Sequence, residues 1–106
     1  MNEFIEIQWT SGSIDEARKI CRFLVSERLA AKAQITPWVE SIYMWNNQLE
    51  TKQESRVVLH TERSNFERIQ EVILKNSSYA IPEIISMPIE RINPSYSEWM
   101  QTSLKT

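Results

Sequence analysis

From Phe4 to Thr10 apolar and polar side chains alternate, with Ile5, Ile7 and Trp9 on one side and Glu6 and Gln8 on the other, which is the period of a half-buried strand. Ser11-Gly12-Ser13 breaks that strand with the only glycine in the chain. Ser13 followed three residues later by Glu16 is a capping-box signature, and Ile14, Ala17, Ile20, Cys21, Leu24 and Val25 then recur at helical spacing, predicting a helix to about Arg28. A second extended segment spans Ala33 to Trp45, the pair Asn46-Asn47 suits a tight turn needing positive φ, and Gln48 to Thr61 returns as a third strand. Ser64 and Glu67 repeat the capping-box pattern ahead of Phe66, Ile69, Val72 and Ile73, a second amphipathic helix ending near Lys75. Ile84 to Ile89 reads as a fourth strand. Asn93-Pro94 places a capping side chain before a proline at the first helical position, with Tyr96, Trp99 and Met100 at helical spacing behind it. The order β-α-β-β-α-β plus a short C-terminal helix is the ferredoxin-like, split βαβ arrangement of the α+β class, with both main helices on one face of an antiparallel sheet.

The long hairpin does not fit such a domain. Thirteen residues from Ala33 to Trp45 reach about 43 Å, while a compact chain of this length is only about 33 Å across. Pro37 cannot donate to a ladder, so a bulge or bend is expected there. Beyond it both faces are apolar, with Val39, Tyr43 and Trp45 on one side and Trp38, Ile42 and Met44 on the other. A monomer's helices cover one face only, leaving on the order of several hundred Å² of apolar surface, a size that marks an interface. Trp38, Ile42, Tyr43, Met44 and Trp45 are therefore the candidate contacts between copies of this chain. The alternative cover is the C-terminal helix folding over the same surface.

Composition narrows the classes. The 106 residues make one domain, 1-106, with 42% apolar and 25% charged residues, the balance of a globular protein. A net charge of -2 supplies no field to attract nucleic acid or an anionic membrane. Although the fold order is shared with RNA-binding modules that stack bases on strand aromatics, their aromatic-glycine motif is missing. The first residues carry neither a basic nor an apolar leader pattern, so a cytoplasmic protein is expected. One cysteine and one histidine are poor material for a nucleophile-base pair, and one glycine cannot build a phosphate loop. No enzyme is expected, and Cys21, on the apolar stripe of the first helix, reads as core.

The run Glu27-Arg28-Leu29-Ala30-Ala31, then Ser41-Ile42-Tyr43 with Trp45, then Ile81-Pro82-Glu83-Ile84-Ile85 with Pro88-Ile89, and finally Asn93-Pro94-Ser95-Tyr96 with Trp99, resembles the CutA family of divalent-cation tolerance proteins across residues 4 to 104. The resemblance implies a ferredoxin-like subunit assembled as a homotrimer through its long strands, in the cytoplasm, associated with tolerance of copper and other divalent metals. This chain departs from the family where metals are concerned. It has Trp9 in place of a cysteine, Asn76, Ser77 and Ser78 before Tyr79 in place of a histidine-containing stretch, Lys32 in place of a cysteine, His60 in place of a lysine, and Ala80 in place of an acidic or polar residue. Soft and borderline cations need clustered thiolate or imidazole donors, which these positions no longer offer. No metal ligand set and no cofactor is assigned, beyond weak binding of a divalent cation such as copper. Lys32, His60, Tyr79 and Glu83 are the candidate lining of an ion or small-ligand site between subunits. Lys32 would tilt such a site toward anions, and His60 could meet its copies on a threefold axis. The alternative is a trimeric interaction or scaffolding module that has lost the metal site.

Overall fold

Alternation in the first segment becomes strand β1, Phe4–Ser11, in the computed structural model, which describes residues 3–104. Helix α1 (Ile14–Ser26) follows, then strands β2 (Lys32–Trp45) and β3 (Gln48–Glu62), a 3-10 turn at Arg63–Asn65, helix α2 (Phe66–Asn76), strand β4 (Ile84–Pro88) and helix α3 (Pro94–Ser103). One four-stranded sheet has the order β2-β3-β1-β4, with every neighbouring pair antiparallel. The split βαβ order read from the pattern is the order found.

Strand parity then sorts the side chains into two layers. Ile5, Ile7 and Trp9 of β1, with Val57 and Leu59 of β3, face Ala17, Ile20, Cys21 and Leu24 of α1 and Ile69, Val72 and Ile73 of α2. Cys21 lies inside this core, where burial pushes its thiol up to about 12, so it packs and does not react. Phe4 has the opposite parity and points to the other face. There α3 covers the base of the sheet, joining Phe4, Ala31, Met100 and Leu104 in a second cluster.

The caps hold in part. Ser13 accepts the Glu16 backbone N-H at its hydroxyl, 3.1 Å, as the Ser-x-x-Glu spacing requires. Helix α1 stops two residues before Arg28, because Leu29 N-H bonds Leu24 O at 2.9 Å and Arg28 N-H bonds Val25 O at 3.0 Å. That is a Schellman closure, with Arg28 in the left-handed region at φ 59°. The second capping box does not form. Ser64 falls inside the 3-10 turn and donates to Glu62 at 3.5 Å, while Asn65 takes the N-cap position without a side-chain cap bond. Asn93 is also at an N-cap without capping, its amide donating instead to Ser95 Oγ at 3.0 Å.

The overhang is real. Strand β1 ends at Ser11 opposite Ser55, so residues 48–54 of β3 pair only with β2 and form a two-stranded ribbon beyond the domain. The molecule measures 46 × 25 × 22 Å. The pairing register slips between Thr36 and Val39, and Ser55 pins the bulge by donating to Pro37 O at 2.7 Å. Asn46 and Asn47 turn the ribbon with φ of 51° and 64°, both in the left-handed region as a type I′ turn demands. On one face Trp38, Ile42, Met44 and Leu49 stand 59%, 64%, 61% and 71% exposed, and on the other Trp45 is 47% exposed. Helix α3 stays at the base and does not cover them.

Candidate functional site

Where the ribbon leaves the domain, the loop 77–83 closes one wall of a cleft of about 940 Å³. Glu16 fixes that loop. Its carboxylate accepts the Ser11 hydroxyl at 2.7 Å and the Ser78 backbone N-H at 3.0 Å, tying the end of β1, the first turn of α1 and the loop together. The Tyr79 N-H in turn donates to Ser77 Oγ at 3.2 Å. Tyr79 lies so close over Gly12 that a Cβ there would come within 2.8 Å of its Cε1. The only glycine is thus required by a close approach of a ring, at an ordinary φ.

Strand β3 supplies the facing wall. Glu50, Lys52 and Glu54 share one face of the strand by parity, opposite Tyr43, Ser41 and Val39 of β2 respectively. Lys52 places its Nζ 4.3 Å from the Tyr79 ring centroid, a cation-π contact. The Tyr79 hydroxyl is buried and has no hydrogen-bond partner among the described residues. Burial, and after it the neighbouring Glu54 carboxylate, hold the phenol well above its ordinary range, so it stays neutral. Glu83 and Trp45 complete the lining used here.

Of the four residues expected to line a site between subunits, Tyr79 and Glu83 line this cleft within one chain. Lys32 and His60 are cross-strand partners at the far end of β3, eight residues from Lys52, or roughly 26 Å along the strand. There His60 Nδ1 lies 2.7 Å from the Tyr96 hydroxyl and meets that ring edge-on, Tyr96 stacks on Trp99 at 5.4 Å, and Lys32 Nζ is 5.9 Å from the Tyr96 centroid. Burial lowers the His60 pKa, the adjacent Glu6 opposes this, and Lys32 adds to it. This group secures α3 to the sheet. Within one chain Lys32 is remote from the distal cleft, whose own lining holds three carboxylates and one ammonium.

The positions that the resemblance marks for metals hold other side chains here, each with a place in the fold. Trp9 is fully buried in the core with its indole N-H unpaired among the described residues, Asn76 donates its amide to Val72 O at 2.8 Å, and Ser77 and Ser78 serve the loop. Among the described residues, no group of three or more His, Cys, Asp and Glu side chains is placed to hold a metal ion. Glu16, Glu50, Lys52 and Glu54 were missed from sequence. The alternation Glu50-Lys52-Glu54 at strand period is the signal that could have found the last three.

Comparison with known proteins gives one answer. The CutA1 divalent ion tolerance protein family matches residues 5–103. A chloroplastic CutA 1 protein of Oryza sativa is 31% identical over 101 residues, 95% of this chain and 57% of its own length, so the chain spans a little over half of that relative. The divalent-cation tolerance protein CutA of Thermus thermophilus is 35% identical over 92 residues, 87% of this chain and 89% of its own. The crystal structure of CutA1 from Oryza sativa superposes with a TM-score of 0.93 at 29% identity, covering 97% of this chain and 94% of that one.

Proposed function

Because the chain belongs to the CutA1 family of divalent ion tolerance proteins, we propose that it acts as a homotrimer, joined through the β2-β3 ribbon, that binds an ion or small ligand in the clefts this ribbon helps to form. The observation that carries the reading is the ribbon itself. One of its faces carries the exposed Trp38, Ile42, Met44 and Leu49, the other adds Tyr43 and Trp45 beside charged residues, it projects beyond β1, and none of the described residues covers it. Exposed apolar surface of this kind marks an interaction site, and an outer β2 edge without a partner strand among the described residues supports pairing with another copy. Tyr43 and Trp45 line the cleft as well as the ribbon, so assembly and ligand site are built from the same residues.

In this reading the protein has no catalytic turnover, works in the cytoplasm, and belongs to copper and divalent-metal tolerance through binding. The donor set weighs against a tight soft-metal site, which favours a second reading: a trimeric interaction or scaffolding module whose metal site has been replaced by Trp9 and by the Glu16-tied loop. Calorimetric titration with Cu(II) separates the two. Stoichiometric binding at micromolar affinity or tighter supports the ion-binding form, and no heat above dilution supports the scaffold.

A further inference from the structure

Helix α3 is held to the sheet by little. Among the described residues Met100 is its one buried side chain, and a single side-chain hydrogen bond joins it to another element, the 2.7 Å contact between the Tyr96 hydroxyl and His60 Nδ1. No ion pair among the described residues reaches it. His60 is half-buried in a row that crosses the sheet, with Lys32 of β2 on one side, Glu6 of β1 on the other and the uncharged Met87 of β4 beyond Glu6. Glu62, two residues on, shares its face of β3 by parity. Lys32 holds its Nζ 5.9 Å from the Tyr96 centroid, so ammonium and imidazole meet the same ring.

The contact suits one protonation state better than the other. A neutral imidazole keeps a bare nitrogen that can accept the tyrosine proton, whereas an imidazolium can only donate. Its charge would also be half-buried beneath α3 with the Lys32 ammonium beside it, opposed by Glu6. Burial is the largest of these influences and Lys32 adds to it, so the closed helix favours the neutral ring, while a ring freed into water takes up a proton near about pH 6.5. We infer that α3 is a latch held shut by neutral His60, and that a proton taken up by this histidine releases the helix from the sheet and uncovers Phe4 and Ala31. No other histidine competes for the role, because the chain has one. The release is local, since the main core lies on the other face of the sheet and its one titratable side chain, Cys21, stays neutral.

The test is hydrogen-deuterium exchange of the full chain at about pH 7.5 and about pH 5, with protection corrected for the intrinsic pH dependence of exchange. Amides of α3 are expected to lose protection about fivefold at the lower pH, while those of α1, β1 and the β2-β3 ribbon keep theirs. His60→Gln should abolish the difference between the two pH values. Tyr96→Phe, which removes only the hydroxyl, should lower α3 protection already at the higher pH. The neighbours supply signed checks: the C2 proton of the single imidazole reports its titration by nuclear magnetic resonance, and Lys32→Met should move the midpoint up, Glu6→Gln down. Equal α3 protection at both pH values in the parent, or a drop that persists in His60→Gln, overturns the inference. So does a loss shared by α1, β1 and the ribbon, which would be opening of the whole molecule. The parent's exchange decides the matter even where a variant fails to fold.

Discussion

His60 ties the C-terminal helix to the sheet through a 2.7 Å contact with the Tyr96 hydroxyl, and its environment disfavours the imidazolium. Its folded pKa lies below the unfolded value near 6.5, so the unfolded chain takes up the proton first. Stability should accordingly be level above about pH 6.5 and fall as the pH drops toward the lower folded value. Urea denaturation at a series of pH values should show that fall in the parent and a shallower one in His60→Gln. A parent curve flat between pH 7 and pH 5 would show that folding does not lower the His60 pKa. Gly12 gives a second expectation at this scale. An added Cβ 2.8 Å from Tyr79 must move the ring, and overpacking of this kind destabilises by about 1–3 kcal/mol. Gly12→Ala should lower the melting temperature, and in the Tyr79→Ala background the same change should have little further effect, a coupling that a double-mutant cycle reads directly. Such pairings are where sequence reading ran out. Gly12 was visible as a strand breaker, but nothing in its spacing says that a tyrosine 67 positions later lies on it. Likewise Lys32 and His60 do adjoin one another, yet the length of β3 carries them away from Tyr79 and Glu83.

Elements whose signals are local were legible, and those settled by tertiary contact were not. Period-2 alternation, the Asn46-Asn47 turn and the Ser13 cap each depend on neighbours a few residues away, and each was found as expected. Ser64 and Glu67 carry the same cap spacing, but the chain tightens into a 3-10 turn after β3, where Arg63 N-H bonds Glu3 O at 2.8 Å, and the cap is lost. The end of α1 was missed for a related reason, since its Schellman closure uses Arg28 where glycine is the usual residue. Arg28→Gly should therefore stabilise the protein by about 0.5 kcal/mol, the relief of the left-handed backbone exceeding the flexibility that glycine adds to the unfolded chain. Pro37 was legible as an irregularity, and its anchor was not. Ser55, buried at 3% exposure, donates to Pro37 O, and Ser55→Ala should destabilise by about 1–2 kcal/mol by leaving that carbonyl unpaired. Chemical denaturation of both variants checks these signs; a stabilising Ser55→Ala would mean that the bulge is held by strand pairing alone.

At the scale of the whole molecule one quantity stands out, the 46 Å length against cross-sections of 25 and 22 Å. It comes from residues 48–54 running on past the end of β1, and the chain places on that extension side chains suited to an interior. Ile42→Glu combined with Met44→Glu would put charge on the most apolar face of the ribbon without touching the core around Trp9. The pair should dissociate the assembly while leaving the far-ultraviolet circular dichroism of the subunit in place; retention of the parent mass by this variant would show that the face is not an interface. Assembly is the premise for the cleft, for the ligand and for the role of Tyr43 and Trp45 in both. Sedimentation equilibrium of the unmodified chain tests it most directly. The expected result is a single species of about three times 12.5 kDa that survives dilution to nanomolar concentration, and a species of 12.5 kDa, monodisperse with its ribbon in water, would contradict it.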